Sequence, residues 1–201
     1  MKKEAINPKQ IEMEIRKHRN FTLCEWFFFE NIGSTSDWAK EYCKKNPPNR
    51  PIVVSARQQT AGHGKRNRRW VGDCLNNIYL TIVFSRVLSR EIMRRSAVLY
   101  AEKISHYFFH NYQIALHLKE PNDLLLHGRK IAGVLVELLP NNGGWLLSVG
   151  MNLFHDPFLQ AQCSQAVGAI DALKILSPNE IIPQLCALAG DLFLSVNGIK
   201  L

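Results

Sequence analysis

Taken only as a pattern of apolar and polar positions, the chain alternates between two periods, one near 3.6 and one near 2. Asn7-Pro8 is a helix-start pair, and Ile11, Met13 and Ile15 set among charges predict a short, poorly amphipathic helix to about Arg19. Leu23 to Glu30, with Trp26-Phe27-Phe28-Phe29, predicts a strand buried on both faces. Asp37 to Lys45 predicts a helix that Pro47-Pro48 stops. Two β-branched or aromatic runs, Pro51 to Ala56 and Asn77 to Val83, predict strands. Ser89 opens a long helix whose apolar positions Ile92, Ala97, Val98, Ala101, Ile104, Phe108 and Phe109 recur at helical spacing. Ile114 to Leu118 reads as a strand, and Leu124 to Leu126 with Ile131 to Leu138 as a hairpin around His127-Gly128-Arg129-Lys130. Trp145 to Leu153 pairs back through Asn141-Asn142-Gly143-Gly144. Ser177-Pro178-Asn179-Glu180 has the form of a capping box opening a last helix to about Val196. The expected fold class is α/β of the α+β type: one mixed, mostly antiparallel sheet backed by helices.

The stretches that break this pattern are the ones that carry chemistry. Gln59 to Trp70 lies between two predicted strands, and within it Gly62 and Gly64 let backbone N–H groups approach a ligand closely. Lys65, Arg66, Arg68 and Arg69 put four positive charges into five positions, a composition suited to a polyanion. The same composition also fits a solvated surface loop or a nucleic-acid patch. Ser34, Thr35 and Ser36 either cap the helix after them or bind a ligand. Lys119 to Leu124 gathers a cation, an amide and a carboxylate in a turn set by Pro121. Lys130 alone would be an ordinary hairpin lysine. Gly133 and Gly150 each interrupt a strand, as glycines do where a backbone or ligand comes close.

Composition narrows the field without choosing. At 201 residues with 46% hydrophobic content the chain suits one domain with a substantial core, and its net charge of +8 favours anionic partners. Five cysteines without a close pair suggest neither a disulfide framework nor a zinc site, which fits reduced thiols in a cytoplasm. No run reaches the roughly eighteen apolar residues of a membrane span, so no membrane partner is expected.

Taken together and in order, Ser34-Thr35, Gln59 to Arg66, Arg68-Arg69-Trp70, Lys119 to Leu124, Arg129 to Glu137 and Gly150-Met151-Asn152 resemble the catalytic domain of biotin protein ligases over about residues 25 to 195. The resemblance implies a two-step enzyme, in which biotin and ATP with Mg²⁺ give biotinyl-5′-AMP, and the acyl group then passes to a lysine of the biotin carboxyl carrier protein of acetyl-CoA carboxylase or of a similar enzyme. It assigns catalysis to Lys130, Lys65, Lys119 and Asp123. Biotin falls to Ser34, Thr35, Gln59, Gly62, His63, Lys130 and Gly133, and the nucleotide to Lys65, Arg66, Arg68, Trp70, Asn122 and Asn152, with Asp123 beside Mg²⁺ or the incoming amine. The chain departs from the family pattern at His63, Lys65, Asn67, Glu120 and Ser148, the last of which stands where the family has glycine. Residues 1 to 22 are expected to form a helical extension and residues 23 to 201 the catalytic domain, with neither a DNA-binding domain nor a C-terminal barrel, hence no sequence-specific nucleic-acid partner. Monomer and homodimer both stay open. The alternatives are a lipoate or octanoate ligase or transferase, and a degenerate, non-catalytic binder of biotin or its adenylate.

Overall fold

A computed structural model of the chain describes residues 6–65, 68–70, 77–86, 88–139, 143–154, 167–170 and 176–197. Seven strands form one sheet in the order β1-β2-β3-β7-β6-β5-β4: β1 (Glu25–Phe29), β2 (Ile52–Ala56), β3 (Ile78–Phe84), β4 (His117–Lys119), β5 (Asp123–Leu126), β6 (Arg129–Leu138) and β7 (Trp145–Met151). Only β1 and β2 run parallel, and every other pair is antiparallel. Among the described residues four helices accompany the sheet: α1 (Pro8–Lys17), α2 (Thr35–Lys45), α3 (Arg90–Tyr112) and α4 (Pro178–Val196). The mixed, mostly antiparallel sheet backed by helices is therefore as the sequence implied.

Each helix starts where a short polar side chain satisfies a free backbone N–H. Asn7 accepts from Gln10, Ser34 from Asp37, Ser89 from Ile92 and Ser177 from Asn179. At α4 the cap therefore takes the N–H of Asn179, the first the helix has because Pro178 lacks one, where a capping box would have used that of Glu180. Helix α2 begins two residues before the expected Asp37, because Ser34 already caps it. Helix α1 is more amphipathic than its sequence suggested: Ile11 and Ile15, one turn apart, are fully buried while Met13 points outward. It packs on α4, and Asn7 N–H donates to Asn179 Oδ1 at 2.7 Å.

Alternate positions on a strand face opposite sides, and the two faces of this sheet have different fates. One face packs on α1, α3 and α4 through Ile78, Leu80, Ile82, Leu147, Val149, Ala132 and Val134, forming the main core. The other carries Ile52, Val54, Val83 and Leu146 under Ala39 and Cys43 of α2. Helix α2 lies over β2 and β3 and reaches β7, and among the described residues no helix covers the rest of that face over β6 and β5. Strand β1 corrects one expectation: it is an edge strand and half-buried along its length, not buried on both faces. Its aromatic residues have a use at that edge, since Phe27 and Phe29 pack on Trp38 of α2 with ring centroids 4.7 and 5.0 Å apart.

Candidate functional site

The strand registers lay two cross-sheet rows on the open part of the α2 face. The first is Tyr79, Gly150, Gly133 and Asp123; the second is Thr81, Ser148 and Leu135. Over the first row lies the indole of Trp70. A Cβ at Gly150 would sit 2.4 Å from Trp70 Cε2, and one at Gly133 would sit 3.2 Å from Cζ3. The two strand glycines are therefore the bed of one aromatic ring. Trp70 is delivered there by a small hairpin, in which Trp70 N–H donates to Gly62 C=O at 2.8 Å and Gly64 N–H to Arg68 C=O at 2.7 Å, with His63 bridging Arg69. Gly62 itself has no room for a side chain, because a Cβ would meet Gln59 Nε2 at 2.8 Å and Trp70 C=O at 3.0 Å.

Beside the indole lies a cavity of about 320 Å³. At one end are hydroxyls and amides: Ser34, Thr35, Ser36, Gln59 and Ser148. Leu135 and Trp70 give it apolar walls. At the other end is Lys130, whose Nζ is 5.2 Å from the Trp70 ring centroid and 2.7 Å from Asp123 Oδ1. Both side chains of that pair are close to nine-tenths buried, yet Asp123 Oδ1 accepts no properly directed hydrogen bond. Lys130 is thus paired with a carboxylate that neutralises its charge inside the site. Asn122 Nδ2 donates to Val134 C=O at 2.8 Å, and Asn152 Nδ2 to Gly168 C=O at 3.1 Å, which leaves Asn152 Oδ1 buried without a partner among the described residues. Lys65, Arg68 and Arg69 line the rim. A wider cleft of about 720 Å³ adjoins at Lys65, Asn122, Val134 and Leu135 and carries Arg90, Arg94 and Arg95 of α3.

His63 also lines the cavity and is tied to α2, its Nδ1 lying 3.3 Å from Asp37 Oδ2. From Asp37 the charges continue to Lys40 at 3.5 Å and on to Glu137 of β6 at 2.8 Å.

Most of the residues singled out from the sequence meet here: Ser34, Thr35, Gln59, His63, Lys65, Arg68, Trp70, Asn122, Lys130, Gly133 and Asn152 all line the cavity, and Asp123 stands beside it on Lys130. Gly62 supports Gln59 and Trp70 without lining the cavity. Lys119 does not join: it is exposed on β4, near the sheet edge, and outside the lining. Arg66 lies outside the described residues. As for a metal at Asp123, the described residues hold no cluster of three or more His, Cys, Asp or Glu. Mg²⁺ carried on a nucleotide needs only one or two carboxylates, a demand that Asp123 could meet. The sequence reading missed Thr81, Leu135 and the part played by Ser148. Thr81 had a faint signal, as a hydroxyl among the apolar residues of β3.

The described cysteines take no part. Burial pushes the Cys43 thiol up to about 11, and raises those of Cys24 and Cys186 as well. No described helix is long and apolar enough to cross a membrane.

Fold and cavity define the class: an α/β domain with a cavity on the open face of its sheet, polar at one end and cationic at the other. The chain belongs to the biotin/lipoate A/B protein ligase family, whose model matches residues 28–153. It is 25% identical over 133 residues to the bifunctional ligase/repressor BirA of Bacillus subtilis, an alignment that takes in 65% of this chain and 41% of that protein. To BirA of Bacillus spizizenii it is 30% identical over 107 residues, 53% of this chain and 33% of that one. The chain therefore matches well under half the length of these relatives. Among solved structures, the biotin protein ligase of Aquifex aeolicus in complex with biotin and ATP has a TM-score of 0.66 at 17% identity, over 88% of this chain and 72% of that chain. The Helicobacter pylori biotin acetyl coenzyme A carboxylase synthetase with bound biotinylated ATP has 0.63 at 22%, over 84% and 74%. The fold is thus that of biotin protein ligase catalytic domains.

Proposed function

We propose that this chain joins biotin to the α-phosphate of ATP and passes the biotinyl group to a lysine of a biotin carboxyl carrier domain. The observation that carries the reading is Lys130, a largely buried cation held over Trp70 at one end of a cavity whose other end is lined with hydroxyls. A bicyclic urea on an apolar tail ending in a carboxylate has that same order of parts. Support comes also from the relatives, which are named as ligases or solved with biotin and ATP.

In the first step a carboxylate oxygen attacks the α-phosphorus, the bond to the β-phosphate oxygen breaks, and pyrophosphate leaves. Two anions have to be brought together, so the site needs fixed positive charge where they meet. Lys130 supplies it at the reacting end, having exchanged Asp123 for the substrate oxygens, and Lys65 and Arg68 supply it from the loop. Trp70 closes the apolar side and keeps water from the mixed anhydride. Asn122 and Asn152 offer amides to the nucleotide; the unpartnered Asn152 Oδ1 suits an amine donor such as that of adenine. Mg²⁺ would neutralise phosphate charge, with Asp123 as the residue to hold it. In the second step the acceptor lysine attacks the acyl carbon and AMP departs, so no enzyme nucleophile is needed. Asp123 is then placed to receive the amine. Lys119 keeps the role of an outer cation that a nucleotide phosphate would have to reach. The described cysteines are free thiols, which supports a cytoplasmic setting for the proposed reaction.

The test is pyrophosphate release with MgATP and biotin, lipoate or octanoate in turn. Biotin should give release, and Lys130→Ala should lower it by about a hundredfold or more, the scale of losing one preorganised charge contact. Release with lipoate or octanoate but not biotin would transfer the chain to the lipoate side of its family, and release with none would leave it a binder.

A further inference from the structure

The hydroxyls behind the cavity form a chain whose direction is determined. Thr35 donates twice to Gln59 Oε1, from its backbone N–H at 2.8 Å and from its hydroxyl at 2.9 Å. A backbone N–H can only donate, so the oxygen end of the Gln59 amide faces Thr35 and the Thr35 hydroxyl proton is committed to it. Thr81 Oγ1 lies 2.9 Å from Thr35 Oγ1 and must therefore give its own proton there. Ser148 Oγ is 2.9 Å from Thr81 Oγ1, a contact that alone could run either way. With the Thr81 proton used, Ser148 is the donor. All the hydroxyl protons thus run toward Gln59, and Ser148 Oγ, the member at the cavity end, faces the cavity with lone pairs only. Thr81 is fully buried and Thr35 nearly so, which keeps water from breaking the sequence.

On the biotin-activating reading, we infer that Ser148 is a specificity-determining acceptor that takes a hydrogen bond from a ring N–H of the substrate. Its neighbour in the cross-sheet row, Leu135, offers only apolar surface, so the ring that fits is polar on one side and apolar on the other. A cyclic urea meets both demands. A dithiolane or a plain alkyl tail would cover the Ser148 oxygen and give it no donor, and a buried acceptor left unmatched is what lets a polar site reject an analogue.

The experiment is titration calorimetry of the full chain with biotin, desthiobiotin, lipoate and octanoate, for wild type, Ser148→Ala and Thr81→Val. Ser148→Ala should weaken biotin and desthiobiotin, which share the urea ring, by about five- to tenfold, the scale of one neutral hydrogen bond. Octanoate and lipoate should bind it no worse than wild type. Thr81→Val keeps the shape of the side chain but frees the Ser148 proton to turn into the cavity, so it should also narrow the preference for biotin over octanoate, by less. Melting curves of both variants close to wild type would confirm that the fold is kept. Equal weakening of all four ligands would show a packing role and overturn the inference, as would a Ser148→Ala protein that keeps the wild-type preference. Biotin bound in this manner without pyrophosphate release would instead sink the ligase reading and leave the role of Ser148 standing.

Discussion

Gly150→Ala is a one-methyl change for which two effects of known size oppose each other. Neither Gly150 nor Gly133 has a positive φ, so alanine can adopt the backbone at both. A glycine-to-alanine change at a compatible position stabilises by about 0.4–1 kcal/mol through the unfolded chain. Against that, the new Cβ at 150 would lie 2.4 Å from Trp70 Cε2, 2.6 Å from Cζ2 and 2.8 Å from Nε1. All three are ring atoms of a rigid indole, so the ring must lift from the sheet. Forcing an extra carbon into packed structure costs about 1–3 kcal/mol. At mid-range the steric effect wins, and a net loss of roughly 1.3 kcal/mol, within about 0–2.6, is expected from these two figures. Gly133→Ala meets Trp70 Cζ3 at 3.2 Å and the flexible Lys130 Cε at 3.4 Å, contacts that a shift of a few tenths of an ångström relieves. It should be close to neutral. Urea unfolding gives the stabilities, and a double-mutant cycle with Trp70→Ala isolates the contact, since the cost at 150 should vanish when the indole is gone. Biotin binding should weaken in Gly150→Ala alone, because Trp70 also walls the cavity. If Gly150→Ala were as stable as Gly133→Ala and bound biotin as wild type does, the indole would not lie where the argument needs it.

Two further outcomes follow from the charges. Lys130→Met leaves the Asp123 carboxylate largely buried without its cation and should destabilise by about 3–5 kcal/mol; adding Asp123→Asn should recover most of that in urea melts but none of the pyrophosphate release, and a single mutant of unchanged stability would refute the pairing. The Glu25 carboxyl is held below its ordinary range first by the Tyr42 hydroxyl at 2.7 Å and then by Arg50. A depressed folded-state value means stability that is fully present above the ordinary carboxylate range and lost as pH falls from there through the lowered folded-state value. Tyr42→Phe should therefore move the midpoint of acid unfolding to higher pH, and an unmoved midpoint would show that the bond contributes nothing.

The kinds of element and their order could be read from the sequence because those signals are local. A period of 2 or 3.6 is carried by neighbouring residues, and a Ser or Asn cap acts on an N–H two or three positions away. The cationic loop was legible for the same reason, since its charges and glycines are consecutive. Gly133 and Gly150 could be seen to interrupt strands, but not why. Their shared purpose exists only once β6 pairs with β7 in the register that sets them side by side and a loop far back in the sequence lays Trp70 across both. Burial of β1 was overstated because an aromatic run looks alike at the edge and in the centre of a sheet; position in the sheet is a property of the pairing. Lys119 and Lys130 are the same residue type near turns eleven positions apart, yet one is exposed on β4 and the other sits largely buried over Trp70. The proton chain from Ser148 to Gln59 is the furthest from local reading: its members come from β7, β3, α2 and the loop after β2. A hydroxyl has no direction in a sequence and acquires one only when the tertiary structure decides which neighbour has already taken its proton.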